Sequence, residues 1–142
     1  MSKIDFKRII SADEVETGLL LAARQDAVQT VTKAVEVAMA RHTAQVPLAE
    51  MLSWGEKEQS ARAVLADPDA QPDALLISEA AFTDETVTDL ALRIVNTAET
   101  QRAMVGALTG LRRKALAEIA AAKGPEAIAT VLEDARRRIA AV

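Results

Sequence analysis

Apolar side chains recur at three- and four-residue spacing along most of the chain, which is the pattern of amphipathic helices. The first such stripe consists of Val28, Val31, Val35 and Ala38. Ser11 and Glu14, three residues apart, form a capping box at the start of this segment. The pattern predicts a first long helix from about Ala12 to about His42.

Two shorter helices are predicted in the middle of the chain. Pro47 is suited to the first turn of a helix over residues 47–66. Ser53 and Glu56 form another capping box, which predicts that this helix restarts at Trp54. Two prolines and three aspartates predict a loop at 67–73, and an apolar run predicts a short helix at 74–82.

A second long helix is predicted to begin at "TDET", residues 83–86, where Thr83 or Asp84 can act as the cap, and to end near Ala122. Its stripe consists of Leu90, Ile94, Ala98, Gln101, Val105, Leu108, Arg112, Ala115 and Ile119. Gly106 and Gly110 are the positions where this helix is most easily broken, because glycine disfavours helix interiors. "KGP", residues 123–125, predicts a C-cap glycine and a last helix from Pro125 to about Ala141.

The opening of the chain has a different pattern. In "KIDFKRII", residues 3–10, charged and apolar side chains alternate, which predicts a short strand or an extended arm. We therefore expect an all-α fold with an N-terminal extended arm (1–11), a long helix (12–46) and a helical hairpin or bundle (47–142).

Composition favours this fold and restricts the function. The only aromatic residues are Phe6, Trp54 and Phe82, so the core consists of small and straight-chain apolar residues that suit closely packed helices. The net charge is −4 and neither half of the chain is basic, so we expect no nucleic-acid partner. The longest apolar run near the start, "GLLLAA" at 18–23, is too short to span a bilayer, so we expect no membrane partner.

Residues for catalysis or metal binding are scarce. The chain has no cysteine and one histidine, His42, whose position at a helix end favours a surface role. It contains no phosphate loop, dinucleotide fingerprint or catalytic triad, and the acidic loop at 67–73 lacks the spacing of a calcium loop. We therefore expect no enzyme activity, no catalytic or metal-binding residues, no cofactor and no small-molecule substrate.

Several residues are candidates for contact with a partner. In the arm these are Ile4, Phe6 and Ile9, which can add to a partner's sheet or enter a groove. Arg112 and Arg113, in "LRRKAL", either lie on a solvent-exposed helix surface or contact an acidic partner. Trp54 either anchors its helix against the second long helix or forms a binding hot spot.

Two stretches resemble proteins of bacteriophage tails. "MSKIDFKRIISADE" resembles the start of small tail-associated proteins of temperate phages and prophages, in which a short segment leads into an alanine-rich helix. Residues 52–133 resemble a helical module of tail-fibre and tail-fibre-assembly-like proteins. The stretches that match it in order are "SWGEKEQSARAVLAD", "PDAQPDALLISEAA", "VGALTGLRRKAL" and "GPEAIATVL". The chain departs from the module at "FTDET", where the module has glycine.

The resemblance implies a structural or assembly component of a phage tail, located in the virion or in the host cytoplasm during assembly. Its partners would be other tail proteins or its own copies. Long apolar stripes on the helices favour a homo-oligomer. A trimer, as in many tail fibres, is one such arrangement. The alternative is a phage-encoded inhibitor that binds a host defence or regulatory protein, a role that also suits a small acidic helical chain.

Overall fold

The computed structural model describes residues 11–142, which form five α-helices and, within that range, no strand. The helices are α1 (Ala12–Thr43), α2 (Leu48–Ala66), α3 (Ala74–Thr83), α4 (Val87–Ala121) and α5 (Pro125–Ala140). The predicted all-α fold, with a long first helix followed by further helices, is confirmed. Ile4, Phe6 and Ile9 lie outside the described residues, as does the predicted arm up to residue 10.

The start of α1 follows the predicted capping box. The Ser11 backbone N–H donates to Glu14 Oε2 at 2.7 Å, and the Glu14 N–H donates to Ser11 Oγ at 3.2 Å. Hydrogen bonds to its carboxylate from Ser11, first from the backbone N–H and then from the side chain, lower the pKa of Glu14. Two N–H groups that the first turn leaves without helical partners are therefore satisfied locally.

Helix α4 begins directly after the predicted stretch 83–86, but the predicted cap at Thr83 or Asp84 is wrong. Thr83 is the last residue of α3, and Asp84 follows it with a left-handed φ of 56°, a conformation that aspartate tolerates. Thr86 provides the actual cap, since its Oγ1 accepts the Asp89 N–H at 3.1 Å and donates to Asp89 Oδ2 at 2.7 Å. α4 then continues through Gly106 and Gly110 without a break.

Two other predicted helix ends are also wrong. Helix α2 continues through Ser53, whose Oγ donates to the Glu50 carbonyl at 2.7 Å and does not cap a new helix at Trp54. Gly124 has an extended φ of −167° and is the N-cap residue of α5 rather than a left-handed C-cap of α4.

The described residues divide into two compact units. Of the described residues, unit 1 contains 11–39 and Leu108–Val142, so it combines most of α1, the second part of α4 and all of α5. Unit 2 is Ala40–Ala107 and contains α2, α3 and the first part of α4. The predicted division of the chain at residues 11 and 46 stays a prediction.

Aliphatic side chains from three helices form the core of unit 1. They are Ala27, Val31, Val35, Ala38, Leu108, Ala115, Ile119, Ala122, Ile128, Ala135 and Ile139. Val28, which was predicted on this stripe, is half-buried, and Ala27 is buried instead. The Arg24 guanidinium donates to the Ala122 carbonyl at 2.6 Å, which joins α1 to the segment that follows α4.

Unit 2 is built around α3. Its core consists of Ala61, Val64, Leu76, Ala80, Leu90 and Ala91. Asp73 caps α3, because its Oδ1 accepts the Leu76 N–H at 3.0 Å while its Oδ2 accepts the Ser60 hydroxyl of α2. The hydrogen bond from Ser60, followed by that from Leu76, lowers the pKa of Asp73. The cap therefore ties the start of α3 to α2.

None of the five helices combines the length and the apolar character that a membrane crossing requires.

Candidate partner-binding cleft

A cleft of about 470 Å³ opens within unit 2 between the first half of α2 and the first half of α4. Its residues are His42, Val46, Glu50, Trp54, Gly55, Lys57, Glu58, Glu79, Leu90, Arg93, Ile94, Thr97, Ala98, Gln101 and Arg102. The volume lies in the range of about 300–1,000 Å³ found for ligand-binding sites.

The α2 wall is formed by one stripe of residues on a single face of the helix. This stripe is apolar at its C-terminal end and mostly charged at its N-terminal end. Residues 50, 54, 57, 61 and 64 recur at four- and three-residue spacing and therefore share a face. At the C-terminal end of the stripe, Ala61 and Val64 are buried in the core. At the other end, Glu50, Trp54 and Lys57 line the cleft. The stripe therefore changes from apolar and buried at Ala61 and Val64 to charged at Lys57 and Glu50, and Glu50 is exposed.

The α4 wall changes in the same way. Leu90 is fully buried, Ile94 and Ala98 are half-buried, and the next residue of the stripe is the polar Gln101. The cleft therefore has an apolar floor of Trp54, Leu90 and Ile94 and a polar rim.

Ion pairs join the helices around this rim. Lys57 Nζ lies 2.6 Å from Glu79 Oε2, and the Lys57 side chain is only 12% exposed. Glu58, whose side chain is 13% exposed, accepts hydrogen bonds from Arg62 Nε at 2.8 Å and from Arg102 of α4. The bonds from Arg102 and then Arg62 lower the pKa of Glu58, against a smaller effect of burial that raises it.

The other charged residues of the cleft differ in whether they have an ion-pair partner. Arg93 is paired with Glu85, so all three cations that line the cleft have a carboxylate partner. Within residues 11–142, Glu50 has no ion-pair partner, and it lies in the first turn of α2. The cleft thus presents one unneutralised carboxylate four residues from the indole of Trp54.

This arrangement has the features of a binding surface. Across the described part of the chain, no three acidic or histidine side chains converge to hold a metal ion. An apolar floor with a charged rim is the general pattern of a surface that buries a partner's side chain and orients it by charge.

The predicted contact residues fall in different parts of the fold. Trp54 is half-buried in the wall of the cleft, in the second turn of an unbroken α2. Arg112 and Arg113 belong to unit 1. There, half-buried Arg112 donates from Nε to Thr32 Oγ1 at 3.2 Å, while Arg113 is exposed. His42 is exposed and lies at the end of α1, on the edge of the cleft.

Four residues give the cleft its polar character and were not predicted from the sequence: Glu50, Lys57, Glu58 and Arg102. The available signal was the pair Glu50 and Lys57, two charged residues on the stripe that Ala61 and Val64 continue into the core.

Comparison of the chain with protein-family models, with curated proteins and with solved structures finds no match.

Proposed function

We propose that this protein is a structural or assembly component of a bacteriophage tail that acts through protein–protein contacts and not through catalysis. The resemblance of residues 1–14 and 52–133 to tail-associated proteins supports the tail as its setting. Exposed apolar side chains on the first part of α1 support contact with other chains as its mode of action. The proposed location is the virion or the host cytoplasm during assembly, and the proposed partners are other tail proteins or copies of this chain.

The single observation behind the mode of action is that residues 11–26 contribute no buried side chain. Yet this stretch contains Val15, Leu19 and Leu21, all exposed, with Leu19 at 67%. Val15 and Leu19 are four residues apart and therefore lie side by side on one face of the helix. A contiguous exposed apolar face marks an interaction surface more often than isolated apolar residues do.

The hydrogen bonds of unit 1 explain why this face is uncovered. Arg24 bonds to Ala122 and Thr32 bonds to Arg112, so α1 and α4 run in opposite directions there. α4 ends at Ala121, and the residues of α1 that precede Arg24 extend beyond that end. From Ala12 to Arg24 the extension is about 18 Å at 1.5 Å per residue.

Covering this face in a complex would stabilise the complex. Full burial of a leucine or valine side chain contributes about 1.5–3 kcal/mol, and these side chains begin only about half exposed. Val15 and Leu19, the two side chains that share this face, together would contribute about 2 kcal/mol on that scale. That is enough to add to an interface and too little to form one alone, because a stable interface buries about 800 Å² on each partner.

Mass spectrometry of purified virions and of the lysate tests the tail assignment. Stoichiometric presence in the particle identifies a structural component, and presence only in the lysate identifies an assembly factor. Absence from every lysate of phage-producing cells contradicts both. Isolation of the protein from lysate in a one-to-one complex with a host enzyme contradicts the tail assignment as well, and favours an inhibitor.

Light scattering on the purified chain tests the proposed homo-oligomer. Leu19→Glu is expected to reduce the oligomer to smaller species, because it places a charge on the apolar face. Gln25→Glu is the matched control, since it adds the same charge at an exposed position of the same helix. A monomeric wild-type protein, or equal effects of the two substitutions, contradicts self-association through this face.

A further inference from the structure

We propose that the cleft of unit 2 binds a lysine or arginine side chain of an amphipathic partner segment, with the cation held between the Trp54 ring and the Glu50 carboxylate. This inference rests on the proposed function, because it specifies the chemistry of a protein partner.

The pairing of the charged residues in the cleft favours a cation as the ligand. Lys57, Arg93 and Arg102 are each paired with a carboxylate of unit 2. Within the described residues, Glu50 is the cleft carboxylate that has no such partner. A cation would therefore add an ion pair at Glu50.

The position of Trp54 reinforces this choice. Glu50 and Trp54 are four residues apart on α2, so their side chains are neighbours on one face of the helix. Tryptophan is the best aromatic partner for a cation, and both lysine and arginine bind its ring face. Trp54 is half-buried and lines the cleft, which places an aromatic side chain at the site.

The size and floor of the cleft favour a protein segment over a single amine. A volume of about 470 Å³, with Ile94 and Ala98 also in the lining, leaves space for an apolar side chain next to the cation. An amphipathic helix presents such a pair three or four residues apart, which is the recognition mode of a helix in a groove. The net charge of −4 also attracts a basic partner over longer distances.

Fluorescence provides a direct test, because Trp54 is the only tryptophan in the chain. The probe is a synthetic amphipathic helix of leucine and lysine, and its matched control replaces every lysine with glutamate. The leucine–lysine peptide is expected to shift the Trp54 emission in a saturable way, and the leucine–glutamate peptide is expected to leave it unchanged.

Two variants of α2 locate the cation. Glu50→Gln is expected to weaken peptide binding about fivefold, the upper range for an exposed ion pair. Glu56→Gln removes the same charge from an exposed residue of α2 that does not line the cleft, and it is expected to change binding less than about twofold. Circular dichroism of both variants checks that α2 stays folded.

Several results would overturn the proposal. They are an unchanged Trp54 emission up to millimolar leucine–lysine peptide, equal binding of the leucine–glutamate peptide, and equal weakening by the two substitutions. Saturation by tetramethylammonium at the same concentration would assign the site to small cations and overturn the partner segment. Since the measurement uses purified protein, it can fail while the protein is found in the virion, and it can succeed while the virion lacks it.

Discussion

Replacement of Gly106 and Gly110 by alanine tests the continuity of α4 at the positions where the sequence makes it weakest. Both residues are exposed within the helix, and a methyl group added to either would have no neighbouring atom within 4 Å. Neither glycine has a positive φ. Alanine therefore causes no clash and no strain, and only the difference in helix propensity remains.

That difference predicts a gain in stability. Alanine is favoured over glycine in a helix interior by about 1 kcal/mol, so the double variant gains about 2 kcal/mol in free energy of unfolding. For a chain of 142 residues, about 1 kcal/mol raises the Tm by about 3 °C. The expected increase is thus about 3 °C for each single variant and about 6 °C for the pair.

Thermal unfolding followed by far-ultraviolet circular dichroism measures the effect, and Gly124→Ala is the control. Gly124 also has open space around its Cα, but it lies at the N-cap of α5 with an extended backbone. Alanine is a poorer N-cap than glycine, so this variant is expected to gain nothing. If Gly106→Ala and Gly110→Ala fail to raise the Tm, or if Gly124→Ala raises it equally, the continuous helix is contradicted.

Three further predictions concern unit 2. Leu76→Ala should lower the free energy of unfolding by about 3 kcal/mol, because Leu76 is fully buried, whereas Leu52→Ala at 77% exposure should change it by less than about 0.5 kcal/mol. Urea denaturation measures both, and similar values would contradict the core of unit 2. Asp73→Ala should cost about 1 kcal/mol through loss of the α3 cap, and an equal cost from Asp69→Ala would contradict this. Because the pKa values of Glu58 and Asp73 are lowered in the fold, their contribution is complete above their ordinary values of 4.5 and 3.8 and is lost as the pH falls further. As the pH is lowered below about 4.5, the urea concentration at the unfolding midpoint should therefore decrease, and it should decrease less steeply in Glu58→Gln. An equally steep decrease in this variant would contradict the role of Glu58.

The sequence predicts best the features that depend on near neighbours. The capping box of Ser11 and Glu14 involves one turn of helix, and the structure has both of its hydrogen bonds. The stripe of Val31, Val35 and Ala38 is buried because a period of 3.6 residues places these side chains on one face. Val28 and Ala27 lie on either side of that face, and only packing decides which of them is buried.

Local motifs are misleading where two of them compete or where the backbone has a better alternative. Ser53 and Glu56 have the spacing of a capping box, but a new start at Trp54 would give up helical hydrogen bonds that a continuous α2 retains. Near Thr83 the chain offers several capping residues in succession. Thr86 becomes the cap because Asp84 takes the left-handed conformation that ends α3.

The cleft could not be predicted from local pattern because it depends on which stretches of α2 and α4 face each other. Glu58 pairs with Arg102 and Arg62 pairs with Glu99, across 44 and 37 residues of sequence. The sequence shows that a charged residue interrupts a stripe, but it does not show which charge of a distant helix it meets.

The charged residues of the α2 stripe are a poor choice if stability is their only purpose. A largely buried ion pair such as Lys57–Glu79 loses solvation for both groups, and an apolar pair of similar size is often equally or more stabilising. Apolar residues at 50 and 57 would also let α2 close onto α4 and extend the core that Ala61 and Val64 begin. Charges at these positions keep the half-buried ring of Trp54 beside an open space and leave Glu50 without a partner. The proposed cationic, partly apolar segment would fill this open space and pair with Glu50.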